Sequence, residues 1–285
     1  MPLPPDFDIA AFVDRTLAED LGSGGDVTSA ATIGAAERFA AVMTSREDIV
    51  VAGLDLAAAV FRALDPSIKI DLLCSDGDSV RAGSDLMRLA GNARAMLTAE
   101  RSALNTLQHL SGIATLTRRY VDAIAGTGAT VLDTRKTIPG LRVLEKYAAR
   151  LGGAANHRMR LDDGVLIKDN HVAVCGGVAE AVRRAKAANT GLEVQVEVDS
   201  VGQIEPALAA GADRLLLDNM PPPVLREAVA LVAGRVPLEA SGGVNLDTIR
   251  AIAETGVDFI SLGRITQSAP AVDIGLDYRV EARSA

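Results

Sequence analysis

The stretch EVQVEVDSVGQIEPALAAGADRLLLDN, Glu193 to Asn219, decides the fold. It opens on a short apolar run, Glu193 to Val198, and closes on another, Arg214 to Asn219. Between them Val201 to Ala210 reads as a helix. A strand, a helix and a second strand in this order form a parallel pair with a right-handed crossover. The same rhythm extends in both directions. Short apolar runs with polar ends recur at Thr130 to Thr134 (TVLDT), Val165 to Asp169 (VLIKD), Val236 to Ser241 (VPLEAS) and Phe259 to Gly263 (FISLG). Helical patterns lie at Val178 to Ala188, Pro223 to Val232 and Leu246 to Thr255. An open doubly wound sheet gathers its polar residues at one switch point. Here nearly every strand ends in them, which favours an α/β-barrel whose strand ends converge on one mouth.

Upstream, Phe7 to Arg94 mixes short helices and strands. Asp8 to Asp20 has helical spacing and stops at Gly22 to Gly25. Phe39 to Ser45, Ile49 to Gly53 and Ile68 to Cys74 read as strands, and Leu54 to Leu64 as a buried helix ended by Asp65-Pro66. A helix from Thr98, its N-cap, to Gly112 is expected, then a second one to Ala125. Its stripe of Leu104, Leu107 and Leu110 is suited to a domain or subunit boundary.

Of the 285 residues 48% are hydrophobic but only 3% aromatic, with no Trp, so the core is built from Ala, Val, Leu and Ile. Such cores suit helices packed on buried parallel strands. A net charge of -8 argues against bulk attraction to nucleic acid or to an anionic membrane. Cys74 and Cys175 have no metal-ligand spacing and read as reduced thiols of a cytoplasmic protein. The start, MPLPPDFDIAAF, lacks the pattern of a signal peptide, and no apolar run reaches the roughly 18 residues of a membrane span.

The strand ends carry the chemistry. Arg135 and Lys136 follow the first strand, and adjacent cations are costly there unless they face an anion; a solvated loop is the plainer alternative. Asn156, His157 and Arg158 precede the next strand, which ends in Lys168. Lysine is almost never buried without a partner. An ion pair with Glu197 or Asp218, a bound anion and a Schiff base all remain open for it. Glu197 and Asp218 end the next two strands and could bind Mg²⁺ or accept hydrogen bonds from sugar hydroxyls. Ser241-Gly242-Gly243 and Ser261-Leu262-Gly263 follow the last two, where glycine lets backbone N–H groups approach a phosphate. At an effective dielectric near 20, a charge pair about 4 Å apart is worth roughly 4 kcal/mol before desolvation. Three or four such cations suit a substrate with several negative charges.

Several motifs then resemble one family. They are Leu97 to Arg101, Leu107 to Thr115, Asp133 to Thr137 with Pro139-Gly140, Glu145 to Ala148, Asn156 to Arg158, Leu166 to His171 and Ser241 to Gly243. With Glu19-Asp20 and Gly25 to Thr28, they are similar in kind and order to the type II phosphoribosyltransferases, specifically the quinolinate phosphoribosyltransferases. The resemblance implies an N-terminal α/β sandwich-like domain over 1–111, to which the tail 268–285 returns, and an incomplete, seven-stranded type of α/β-barrel over 112–267. It implies a homodimer, or an assembly of dimers, with shared active sites. The implied reaction converts quinolinate and phosphoribosyl pyrophosphate, with Mg²⁺ and no organic cofactor, into nicotinate mononucleotide, pyrophosphate and CO₂. Arg135, Lys136, His157, Arg158 and Lys168 would surround the quinolinate carboxylates and nearby phosphates. Glu197 and Asp218 would face the ribose hydroxyls and Mg²⁺, and Lys136, Lys168, Glu197 and Asp218 would carry the catalysis. Ser241, Gly242, Gly243, Ser261 and Gly263 would take the 5′-phosphate, and Arg101 would reach the neighbouring subunit's quinolinate.

The sequence departs from the family pattern at Ala154, after Gly152-Gly153, and at Gln267, where relatives often have His. A Schiff-base aldolase built on Lys168, a non-catalytic phosphate-ligand binder and a phosphoribosyltransferase for another base are the rival readings. Arg135 and Lys136 beside Lys168 favour an anion site over the first. The pair Glu197 and Asp218 is superfluous for the second. The full cation set favours quinolinate over the third.

Overall fold

The computed structural model describes residues 3–5 and 7–278. Its first elements are short. Helix α1 (Ile9–Leu21) begins where the Asp8 carboxylate accepts the Ala11 N–H at 2.9 Å, and α2 (Val27–Thr32) where Asp26 does the same for Ser29. Strands β1 (Arg38–Ser45) and β2 (Ile49–Val50) precede α3 (Leu54–Leu64). The cap of α3 comes from far along the chain: Asp76 accepts the N–H groups of both Gly53 and Leu54. Strands β3 (Lys69–Leu72), β4 (Ser79–Val80) and β5 (Asp85–Asn92) lead into α4 (Ala93–Ala123).

Helix α4 corrects the expectation of two helices. Thr98 is no cap; it lies inside α4 and its hydroxyl donates to Asp26. Gly112 is no stop either. A Cβ there would stand 2.1 Å from the carbonyl oxygen of Pro270, so the glycine lets the 270–271 backbone lie against the helix. Leu104, Leu107 and Leu110 are buried within the chain.

The rest of the chain alternates strands with helices. In order they are β6 (Thr130–Leu132), α5 (Arg142–Leu151), β7 (Val165–Ile167), α6 (Asp169–Cys175), α7 (Val178–Ala187), β8 (Val194–Val198), α8 (Ile204–Ala209), β9 (Arg214–Asp218), α9 (Pro222–Val232), β10 (Leu238–Ser241), α10 (Ile249–Ala253), β11 (Phe259–Ser261), α11 (Arg264–Gln267) and β12 (Ile274–Tyr278). The helix read over Val201 to Ala210 starts as a 3₁₀ turn, Val201–Gln203, and Pro206 falls in the first turn of α8, where its missing N–H costs nothing.

Contacts divide the chain into two units. One takes the residues through Leu116, the segment Val143–Gly152 and the chain from Ala269 onward. Its antiparallel sheet has the order β12-β1-β5-β3, so the described part of the tail pairs with β1; residues 279–285 lie outside the described residues. The segment 143–152 belongs here, whereas a linear split at 111/112 assigns it to the barrel. The other unit, Thr117–Arg142 with Gly153–Ser268, holds a parallel sheet of order β6-β11-β10-β9-β8-β7. A single parallel bridge, Leu132 to Ala155, fills a seventh position beyond β6. The expected fold, a separate α/β domain with an incomplete barrel, is the observed one.

Candidate active site

Register fixes what faces the barrel interior. Gln195 and Glu197 on β8 alternate with buried Val194, Val196 and Val198. Glu239 and Ser241 pair with Leu216 and Asp218, and Phe259 and Ser261 pair with Glu239 and Ser241. Paired residues on parallel strands share a face, so one face gathers Glu197, Leu216, Asp218, Glu239, Ser241 and Ser261. These residues line a cavity of about 330 Å³ with Thr134, Arg135, Lys136, His157, Arg158, Leu166 and Lys168. A second cavity of about 410 Å³ shares Thr134, Lys136, Ser241 and Ser261 with it, and adds Gly242, Gly243, Gly263, Arg264 and Gln267. Every expected site residue except Arg101 lines one of the two. Arg101 is exposed on α4 and forms no ion pair with a described residue.

The cations are not neutralised. Lys168 is exposed and makes no ion pair with Glu197 or Asp218, so the pairing alternative does not hold. Burial and the neighbouring charge of Arg135 both hold the Arg158 guanidinium below its ordinary pKa, against an opposing pull from Asp163. The Nε of Arg135 is buried without a hydrogen-bond partner among the described residues. Two arginines crowded together with an unsatisfied donor make a site that an anion would complete.

The carboxylates are crowded in the same way. Burial first, then Asp218 and Asp169, push the Glu197 carboxyl up, while Lys168 and Lys136 pull it down. Asp169 was not among the sequence candidates. Asp218 accepts a hydrogen bond from Asn219 at 2.7 Å, and Asn219 sits in the left-handed region at φ 54°. Its side chain occupies the space a Cβ on Gly242 would need, so Gly242 (φ 93°) cannot be replaced freely. The amides of Gly243, Gly263 and Arg264 donate to no described residue, leaving donors at the second cavity.

Three further residues hold the site and escaped the sequence reading. Asp133 is fully buried and accepts the His157 N–H at 2.8 Å and the Asn156 amide. Gln195 and Glu239 meet His157 at the cavity floor. Only an Asp at the end of an apolar run and a Glu inside one (VPLEAS) were visible, and neither pattern names a partner. His157 is expected against an anion, but both its ring nitrogens engage the protein: Nδ1 accepts the Arg158 N–H at 2.9 Å and Nε2 meets Gln195 at 3.1 Å.

Comparison with known proteins agrees with this architecture. Residues 26–111 match the model for the quinolinate phosphoribosyl transferase N-terminal domain, and residues 113–277 the model for its C-terminal domain. The chain is 41% identical to the Arabidopsis thaliana nicotinate-nucleotide pyrophosphorylase (carboxylating), chloroplastic, over 98% of this chain and 85% of that one. It is 44% identical to the Mycobacterium leprae nicotinate-nucleotide pyrophosphorylase (carboxylating), over 93% and 95%. The solved nicotinate-nucleotide pyrophosphorylase from Francisella tularensis superposes with a TM-score of 0.91 at 42% identity, covering 95% of this chain and 96% of that one.

Proposed function

The chain belongs to the quinolinate phosphoribosyl transferase family, and from that premise we infer its reaction. It is a pentosyltransferase of NAD biosynthesis: quinolinate and phosphoribosyl pyrophosphate give nicotinate mononucleotide, pyrophosphate and CO₂. The observation that carries this reading is Arg135 and Arg158, crowded together without an ion pair among the described residues, in a cavity that shares lining residues with a glycine-lined one. A dicarboxylate fits the first and a sugar phosphate the second. The ribose then lies where the cavities meet, beside Thr134, Lys136, Ser241 and Ser261.

The residues follow the charge through the reaction. Arg135, Arg158 and Lys168 hold the base's carboxylates, and Lys136, common to both cavities, offsets charge on the departing pyrophosphate. Glu197 and Asp218 accept from the ribose hydroxyls. Ser241, Gly242, Gly243, Ser261 and Gly263 hold the 5′-phosphate, and Gln267 donates there without adding charge. Attack by the ring nitrogen makes it cationic. The adjacent carboxylate can then leave as CO₂, its electron pair stabilised by that nitrogen and then taken up by a proton from water, so no organic cofactor is needed. The crowded Glu197 and Asp218 fit Mg²⁺, which typically takes one or two carboxylates plus substrate phosphates. When bound, Mg²⁺ would neutralise pyrophosphate charge. The test is purified protein with quinolinate, phosphoribosyl pyrophosphate and Mg²⁺; absence of nicotinate mononucleotide overturns the reading.

We read the chain as a homodimer with shared sites. Ile138, Leu161, Val174 and Leu246 are large exposed apolar residues, and each follows the C-terminal end of a barrel strand or of the Ala155 bridge. Helix α6 buries none of its residues. A second copy would cover this rim and bring its own Arg101. A cytoplasmic location is the accompanying reading. It rests on free Cys74 and Cys175, the former with burial pushing its thiol up to about 11. Among the described residues no helix is long and apolar enough to cross a membrane.

A further inference from the structure

At the cavity floor lies a chain of polar groups to which the reaction assigns no step. Glu239, in the middle of β10, is fully buried. Its Oε2 accepts the Gln195 amide at 2.8 Å and lies 2.8 Å from the Arg214 guanidinium, which also sits over the Phe259 ring at 4.0 Å. Gln195, itself buried, spends its other side-chain atom, Oε1, on His157 Nε2 at 3.1 Å, and the same Nε2 is 3.5 Å from Glu239. On its far side the ring accepts the backbone N–H of Arg158.

These partners leave one arrangement of hydrogens. Nδ1 accepts, so the ring hydrogen is on Nε2, donating towards Gln195 and Glu239. An amide whose N–H₂ is committed to Glu239 must offer its oxygen to His157, which fixes that tautomer. Burial alone would raise the Glu239 carboxyl, but His157, Arg214 and Gln195 outweigh it and keep it below its ordinary range. We propose that Gln195 and Glu239 are positioning residues: they lock His157 in the Nε2–H form, so that Nδ1 anchors the Arg158 backbone and presents Arg158 beside Arg135. The part of this concerning substrate rests on the quinolinate reading above.

The structure offers two separable variants. Gln195→Met removes the bridging amide at similar volume and leaves the Glu239–Arg214 pair intact. Glu239→Gln removes the charge. The first readout is the imidazole ¹⁵N spectrum, in which His157 is one of only three histidines. The wild type should show a single Nε2–H tautomer, and Gln195→Met a mixture. The second readout is kinetic: Gln195→Met should raise KM for quinolinate at least tenfold and KM for phosphoribosyl pyrophosphate less than twofold. Glu239→Gln should move both readouts in the same directions. A His157 spectrum unchanged in folded Gln195→Met overturns the proposal, as does an equal rise in the two KM values. If Glu239→Gln does not fold, Gln195→Met decides alone. If the wild type makes no nicotinate mononucleotide, the functional reading fails, while the tautomer measurement still decides the positioning claim.

Discussion

A Cβ on Gly263 would stand 2.6 Å from Cδ of Lys136, so the lysine stem lies directly on the bare glycine backbone. The turn after β11 therefore does two things. It opens its amides to the second cavity, and it sets the path of the cation shared by both cavities. Thr266 holds the same segment from below, donating to the Lys136 carbonyl at 2.8 Å.

Gly263→Ala should accordingly leave the protein folded and damage turnover. Its φ lies in the ordinary negative range, so alanine costs no backbone strain, and the clash is with a flexible side chain that can move. A shifted Lys136 would meet the leaving group poorly. We expect kcat to fall at least tenfold with a change in melting temperature of only a few degrees. Unaltered kcat would mean that the Lys136 path is immaterial.

Glu197→Gln should stabilise the protein and impair the enzyme. The folded state raises this carboxyl above its unfolded value, so the folded state binds its proton more tightly. Stability is thus lost as pH rises from the ordinary carboxylate value through the raised one, and above the raised value the whole penalty is present. Gln removes it. Thermal melts at pH 7 should rise for the variant and converge with wild type in acid, while kcat/KM at pH 7 falls. A lower melting temperature at neutral pH would contradict the sign.

Nicotinate should be a poor substrate beside quinolinate. One carboxylate leaves part of the set Arg135, Arg158 and Lys168 without an anionic partner, and a site built to pair a group discriminates against the analogue that lacks it. A ratio of kcat/KM of at least about 100, or roughly 2.7 kcal/mol, is expected. Comparable values for the two acids would remove the dicarboxylate site.

Mixing inactive Arg101→Ala and Lys168→Ala subunits should restore activity. Both residues are exposed and without ion pairs among the described residues, so both variants should fold. In a mixed dimer with shared sites, one site carries both lesions and the other neither. Activity should return to about half of wild type per mixed dimer. If each Arg101 served its own subunit, no activity would reappear after subunit exchange.

What the sequence determined by itself was whatever depends on local order. Period and polar ends located six strands, because burial on both faces needs unbroken apolar runs and a parallel strand must be followed by its crossover. The same pattern put Arg135, Lys136, Lys168, Glu197 and Asp218 at strand ends, hence on one side of the sheet. Local signals misled where a residue answers to a distant one. Gly112 looks like a helix stop and is an interior contact for Pro270; Thr98 looks like a cap and is a donor to Asp26. Only the tertiary structure decided that His157 turns down to Gln195 and Glu239, that Asp133 anchors the 156–158 turn, and that Lys168 stays unpaired. A buried polar group must find a partner, but which partner depends on the register of strands dozens of residues apart, and no periodicity encodes that.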